Sequence, residues 1–145
     1  MEKMNRSSYF YPPLNKAMQI EDLRNIALNL KGSTEDIKWE DHLCFTIGGK
    51  MYLVTSPDQV PSTASFKVTP EEYEALLAQP GFQKHSHLAR YHWVHLNDLN
   101  RLSKNEWQHF IRQSYELVAA KLPKKVKKEL NILIDSENRE PGTGI

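Results

Sequence analysis

The sequence predicts an α+β domain, an antiparallel sheet of short strands with helices packed on one side. Three observations carry this expectation. Two apolar runs flank Gly48-Gly49 in the manner of a tight hairpin, and capping boxes open helices after Thr69 and Ser103. Helical and extended patterns also follow one another as helix, three or four strands, helix, strand, helix, helix. A chain of 145 residues suits one domain, placed here at 15–134. A domain of that size buries about 70% of the surface its unfolded chain exposes.

Residues 1–14 read as a flexible leader closed by Pro12-Pro13, and Asn15 can cap a helix running to about Leu30. Ile20, Leu23, Ala27 and Leu30 share one face of it, and Gly32 is placed to stop it in a left-handed conformation. Residues 34–39 supply a first strand, followed by the hairpin 43–47 and 50–55. A regular ladder pairs Ile47 with Lys50, Phe45 with Tyr52 and Leu43 with Val54, which leaves Cys44, Thr46, Met51 and Leu53 on the other face. Both faces are apolar, so the pattern alone does not assign the one that meets the helices. Residues 64–68 alternate, with Ala64, Phe66 and Val68 opposite Ser65 and Lys67. Thr69, Pro70 and Glu72 then start a helix that turns Tyr73, Leu76 and Leu77 inward and ends before Pro80-Gly81.

Residues 82–90 read as a loop and 91–96 as a strand, with Tyr91, Trp93 and His95 on one face. Ser103 and Glu106 open the longest helix, whose stripe is Trp107, Phe110/Ile111, Ser114, Leu117/Val118 and Lys121. Pro123 ends or kinks it, 124–134 forms a basic amphipathic helix with Val126, Leu130 and Leu133, and 135–145 is a disordered tail.

Hydrophobic residues at 39% and charged residues at 26% describe a soluble globular chain rather than a disordered one. No apolar run approaches the roughly 20 residues of a membrane span, and the N-terminus lacks signal-peptide features, so a cytoplasmic location is expected. The single cysteine, Cys44, sits in an apolar run and reads as a buried thiol. The formal charge of +1 hides an asymmetry: residues 84–128 hold ten Lys/Arg against three acids, or +7, which leaves −6 for the rest. That division suits an acidic partner, although lysines near a helix C-terminus also offset the macrodipole.

No phosphate-loop, dinucleotide, nucleophile-elbow or zinc-peptidase spacing occurs, so no catalytic residue, cofactor or metal is expected. The pairs His85/His87 and His92/His95 lack partners at zinc-site spacing, and on a strand His92 and His95 point to opposite faces. Basic groups near aromatics offer a binding surface instead: Lys50 at the hairpin tip, Lys67, and Arg90 beside Tyr91 and Trp93. Spacing alone also permits those rings to be core.

Ile37-Lys38-Trp39-Glu40, the run Phe45 to Tyr52, Ser65-Phe66-Lys67 with Pro70-Glu71, and Gln79-Pro80-Gly81 appear in that order. Trp93-Val94, Ser114-Tyr115-Glu116-Leu117-Val118 and Lys121-Leu122-Pro123-Lys124-Lys125 follow. In this combination, over about residues 20–130, the chain resembles the MmcQ/YjbR family of small bacterial proteins. It departs from the family at Lys31-Gly32, where relatives more often have Pro-Gly, in its leader, and at His85 and His87.

The resemblance implies a two-layer α+β fold like that of secretion chaperones and, more loosely, frataxin-type proteins. It also implies DNA binding by paired β elements, without catalysis. Carried over by position, Lys50, Lys67, Trp93, Ser114 and Tyr115 are candidates, the last two with packing as an alternative. Arg90, Lys124 and Lys125 join them from the basic region. Two other readings stand beside DNA: a chaperone-like module that holds a protein, a peptide or a second copy through an uncovered apolar sheet face, and a small-molecule pocket around Trp93 and Lys67.

Overall fold

The computed structural model describes residues 17–38 and 41–132. The expected leader with Asn15, the Trp39-Glu40 pair, Leu133 and the expected tail lie outside the described residues. Among the described residues four α-helices and six strands follow in the order α1 (Ile20–Leu28), β1 (Ser33–Lys38), β2 (His42–Ile47), β3 (Lys50–Ser56), β4 (Thr63–Lys67), α2 (Pro70–Leu77), β5 (Phe82–Lys84), β6 (Trp93–Leu96), α3 (Lys104–Ala120), α4 (Lys124–Glu129). The strands form one antiparallel sheet ordered β1-β2-β3-β4-β6-β5. One core unites Leu23 and Ala27 of α1, Tyr73 of α2 and Trp107, Ile111, Tyr115 and Ala119 of α3 with Phe45, Ile47, Tyr52, Leu53, Phe66, Val94 and Leu96 of the sheet. The helices therefore lie on one face, as the α+β expectation requires.

Local chemistry explains where the helices start. Thr69 Oγ1 accepts the Glu72 amide at 3.2 Å, and Ser103 Oγ accepts the Glu106 amide at 3.2 Å while the Ser103 amide donates to Glu106 Oε1. The first helix is shorter than expected. It begins at Ile20, where the Gln19 amide donates to Asp22 Oδ2, and it ends at Asn29, so Gly32 with φ +75° serves the turn into β1 instead. Helix α4 is also shorter than the expected 124–134 segment, starting after Pro123 and ending at Glu129. On α3 the buried stripe runs through Tyr115 rather than Leu117.

The hairpin departs from the regular ladder. Gly48 and Gly49 both take positive φ, +58° and +82°, as a primed two-residue turn demands. Ile47 pairs with Lys50 and Thr46 with Met51, but Phe45 then faces Leu53 and Cys44 faces Val54. Tyr52 is thus the extra residue of a β-bulge, which shifts every later pairing by one. Consequently Leu53 joins the helix-side core and Val54 moves to the opposite face with Cys44.

Two further corrections concern 82–96. Phe82–Lys84 is a strand, not loop, and its three residues are too few to show an alternation. The following strand starts at Trp93. Tyr91 closes a single 3-10 turn, and His92 adopts a left-handed conformation with its ring against Tyr73.

Candidate functional site

The basic candidates gather at the hairpin end of the sheet. A Cβ added to Gly48 would lie 2.8 Å from Leu122 and 3.1 Å from Val126, so the turn abuts the start of α4, where Lys124 and Lys125 are exposed. Lys50, the first residue of β3, stands exposed at the tip. On β4, Lys67 sits opposite Trp93, and its ammonium donates to the Tyr91 carbonyl at 2.5 Å. Partial burial, with Lys121 as a like-charged neighbour, lowers the Lys67 pKa from its ordinary value. Arg90 lies over the Tyr91 ring, 4.9 Å from its centroid, and donates to its hydroxyl at 2.8 Å. Contacts thus link Arg90, Tyr91 and Lys67 on one side, and the hairpin turn and α4 on the other. Arg24 is committed elsewhere, to both carboxylate oxygens of Glu35 at 2.7 and 2.9 Å, which holds that carboxyl below the usual range.

Trp93 does not belong to this surface. It is 5% exposed, clustered with Cys44 and Val54 under Leu88 and Met51, and His85 stands edge-on to it. The exposed ring is Tyr91, at 48%. The same cluster removes the expected open apolar face, because the segment after β5 folds back over that part of the sheet. On the Trp93 side, the expected pocket around Trp93 and Lys67 is taken up by this packing. Burial pushes the Cys44 thiol up to about 11, which leaves it the structural role expected of it.

The helix-free face holds a cleft of about 580 Å³ farther along the strands. Its floor is a cross-strand row, Val54–Ser65–His95–Gln83. His42 and Ser56 line one part of its wall, and Lys84, His85, Ser86 and His87 line another. Ser65 Oγ is 2.8 Å from His95 Nδ1, yet Ser65 is only 4% exposed in mid-strand, which denies a substrate the approach a nucleophile needs. Sequence patterning missed this cleft, since only the folded register brings its residues from five strands and a loop together. Among the described residues no group of three or more His, Cys, Asp or Glu could hold a metal ion. No helix there is long and apolar enough to cross a membrane.

Residues 28–117 match the family model named YjbR. The chain belongs to the YjbR family. A crystal structure of a Deinococcus radiodurans protein, whose domain is termed DUF419, is 32% identical; it aligns over 79% of this chain and 89% of its own, with a TM-score of 0.71. A Pseudomonas syringae protein shares the fold at 21% identity and a TM-score of 0.58, over 69% of this chain and 98% of its own. No curated protein matches.

Two candidates carried over from the YjbR resemblance are internal. Ser114 has no exposure; its hydroxyl donates to the Tyr52 carbonyl at 2.6 Å and accepts the Lys67 amide at 3.0 Å. Those are backbone groups beside the bulge, where the β3–β4 ladder stops at Leu53 and Phe66. Tyr115 packs edge-on to Tyr52, 5.5 Å between ring centroids, and its hydroxyl donates to the Lys31 carbonyl at 2.6 Å. Both residues brace α3 against the rest of the fold.

Proposed function

We propose that this YjbR-family protein binds nucleic acid through the hairpin end of its sheet and catalyses no reaction. The observation that supports this reading is that Lys50, Lys124 and Lys125 stand exposed about the Gly48-Gly49 turn, while Lys67 and Arg90 both engage Tyr91, whose ring is exposed. Exposed lysines neutralise phosphates, while a ring beneath a guanidinium offers a stacking platform to an unpaired base. Charge adds to this: the +7 of residues 84–128 falls partly on α4 and the turn before β6. With a formal total of +1, the long-range field is weak and the affinity should be modest.

Binding to labelled oligonucleotides, read by fluorescence anisotropy, should weaken steeply with salt. Lys50→Ala should reduce the slope of log K against log salt by about 0.9 on duplex DNA, the share of one phosphate contact. Because Lys50 is exposed and its turn partner Gly49 faces open space, that variant should fold normally. Tyr91→Ala should weaken single-stranded binding more than duplex binding. An anisotropy that stays flat for both forms at low salt would sink the proposal.

A further inference from the structure

We infer that the histidine-lined cleft on the helix-free face is a binding site for the phosphate group of a small phosphorylated molecule, with an affinity that rises as the pH falls. This site is separate from the hairpin end and does not depend on the nucleic-acid reading.

Its volume of about 580 Å³ suits a small molecule, since such pockets span roughly 300–1,000 Å³. Its lining names the ligand's charge. Among the described residues no Asp or Glu lines it, whereas Lys84 and four imidazoles, of His42, His85, His87 and His95, do. The nearby Asp41 carboxylate is taken up by His42, so a cation would meet mostly basic groups, while a tetrahedral oxyanion would meet donors from several directions.

The tautomer of one ring is fixed by the loop itself. His85 Nδ1 accepts the amides of both His87 and Leu88 at 3.1 Å, so its proton resides on Nε2 and that nitrogen is a donor even when the ring is neutral. Protonation of His95 supplies the rest of the charge. Burial, aided by neighbouring His42, lowers the His95 pKa; burial, aided by His95 and His87, lowers that of His85. Among the described residues the charged groups facing them include Lys84 and, through its 2.8 Å contact with His42, Asp41. Lost water and like-charged neighbours therefore disfavour the protonated forms of His95 and His85 in the empty cleft. An anion removes that penalty, so anion and protons bind together.

A histidine with a lowered folded pKa stabilises the native state above its unfolded value, about 6.5, and that contribution is lost as pH falls. The empty protein should lose thermal stability below pH 6.5, and an anion should restore it.

The test uses the full chain titrated with sulfate, whose charge is constant, and with glycerol phosphate, at pH 7.5 and 5.5. Histidine NMR signals and the melting temperature are followed together. Sulfate should bind about tenfold or more tightly at pH 5.5, as expected when a bound anion favours protonated imidazoles. His95→Gln should remove most of that gain while keeping a polar partner for Ser65. His87→Gln, on an exposed loop position, provides a second variant whose folding is not at stake. Lys104→Ala, on the helix side, should leave sulfate binding unchanged and so controls for general charge. Equal affinity at the two pH values, or unaltered binding in both histidine variants, would overturn the inference.

Discussion

Ser114→Ala should destabilise the protein by about 2–3 kcal/mol, because two backbone groups lose their partner without gaining water. The Ser114 hydroxyl serves both the Tyr52 carbonyl and the Lys67 amide at the point where the bulge interrupts the β3–β4 ladder. With the side chain wholly buried, the space left by one oxygen is poorly placed to admit a bridging water. At 2–4 °C per kcal/mol for a domain near this size, the melting temperature should fall by roughly 4–12 °C. Tyr115→Phe is the internal comparison. It removes one hydroxyl whose acceptor, the carbonyl of exposed Lys31, can turn to solvent, so its cost should stay near 1 kcal/mol. Urea unfolding of both variants gives the order directly. A Ser114→Ala midpoint equal to wild type would show that the bulge does not depend on this hydroxyl. Nucleic-acid binding per folded molecule should be unchanged in Ser114→Ala, since the side chain never reaches the surface.

The same bulge explains why the helices were legible in the sequence and the sheet only partly so. A helix start is written within four residues, as Thr69 to Glu72 and Ser103 to Glu106 show. The bulge is not local. Its extra residue, Tyr52, is held by Ser114 from 62 positions away, and its hydroxyl donates to the Ala27 carbonyl 25 positions back. No spacing rule within the hairpin contains that information, so a regular ladder sent Leu53 and Val54 to the wrong faces.

Functional residues divide in the same way. The basic residues and Tyr91 were visible as residue types, but their grouping depends on α4 meeting the hairpin turn. Trp93 was correctly paired with His95 on one face by alternation. What alternation omits is that Leu88 and His85 return over that face and close it. Exposure is set by the fold, and a strand pattern reports only the side.

Gly48→Ala and Gly49→Ala together should separate backbone strain from packing at the hairpin end. Both glycines hold positive φ, so either alanine pays about 1–2 kcal/mol for a left-handed conformation. They differ in what the new methyl meets. At Gly49 there is nothing within 4 Å, and strain should be the whole effect. At Gly48 the methyl would stand 2.8 and 3.0 Å from the two Leu122 methyls and 3.1 Å from Val126. Leu122 is 5% exposed and packed in the main core, so it cannot swing away freely. Overpacking of this kind costs about 1–3 kcal/mol, which brings Gly48→Ala to roughly 2–5 kcal/mol in all. The two denaturation midpoints decide the matter, and equal losses would mean that α4 yields without cost. Relief by displacement of α4 would also carry Lys124 and Lys125 away from Lys50. Gly48→Ala should therefore weaken oligonucleotide binding at low salt, even at temperatures where the variant is fully folded. Gly49→Ala should bind nearly as the parent does. If the proposed interface is real, the variant that disturbs α4 is the one that loses affinity, although neither substitution removes a charge.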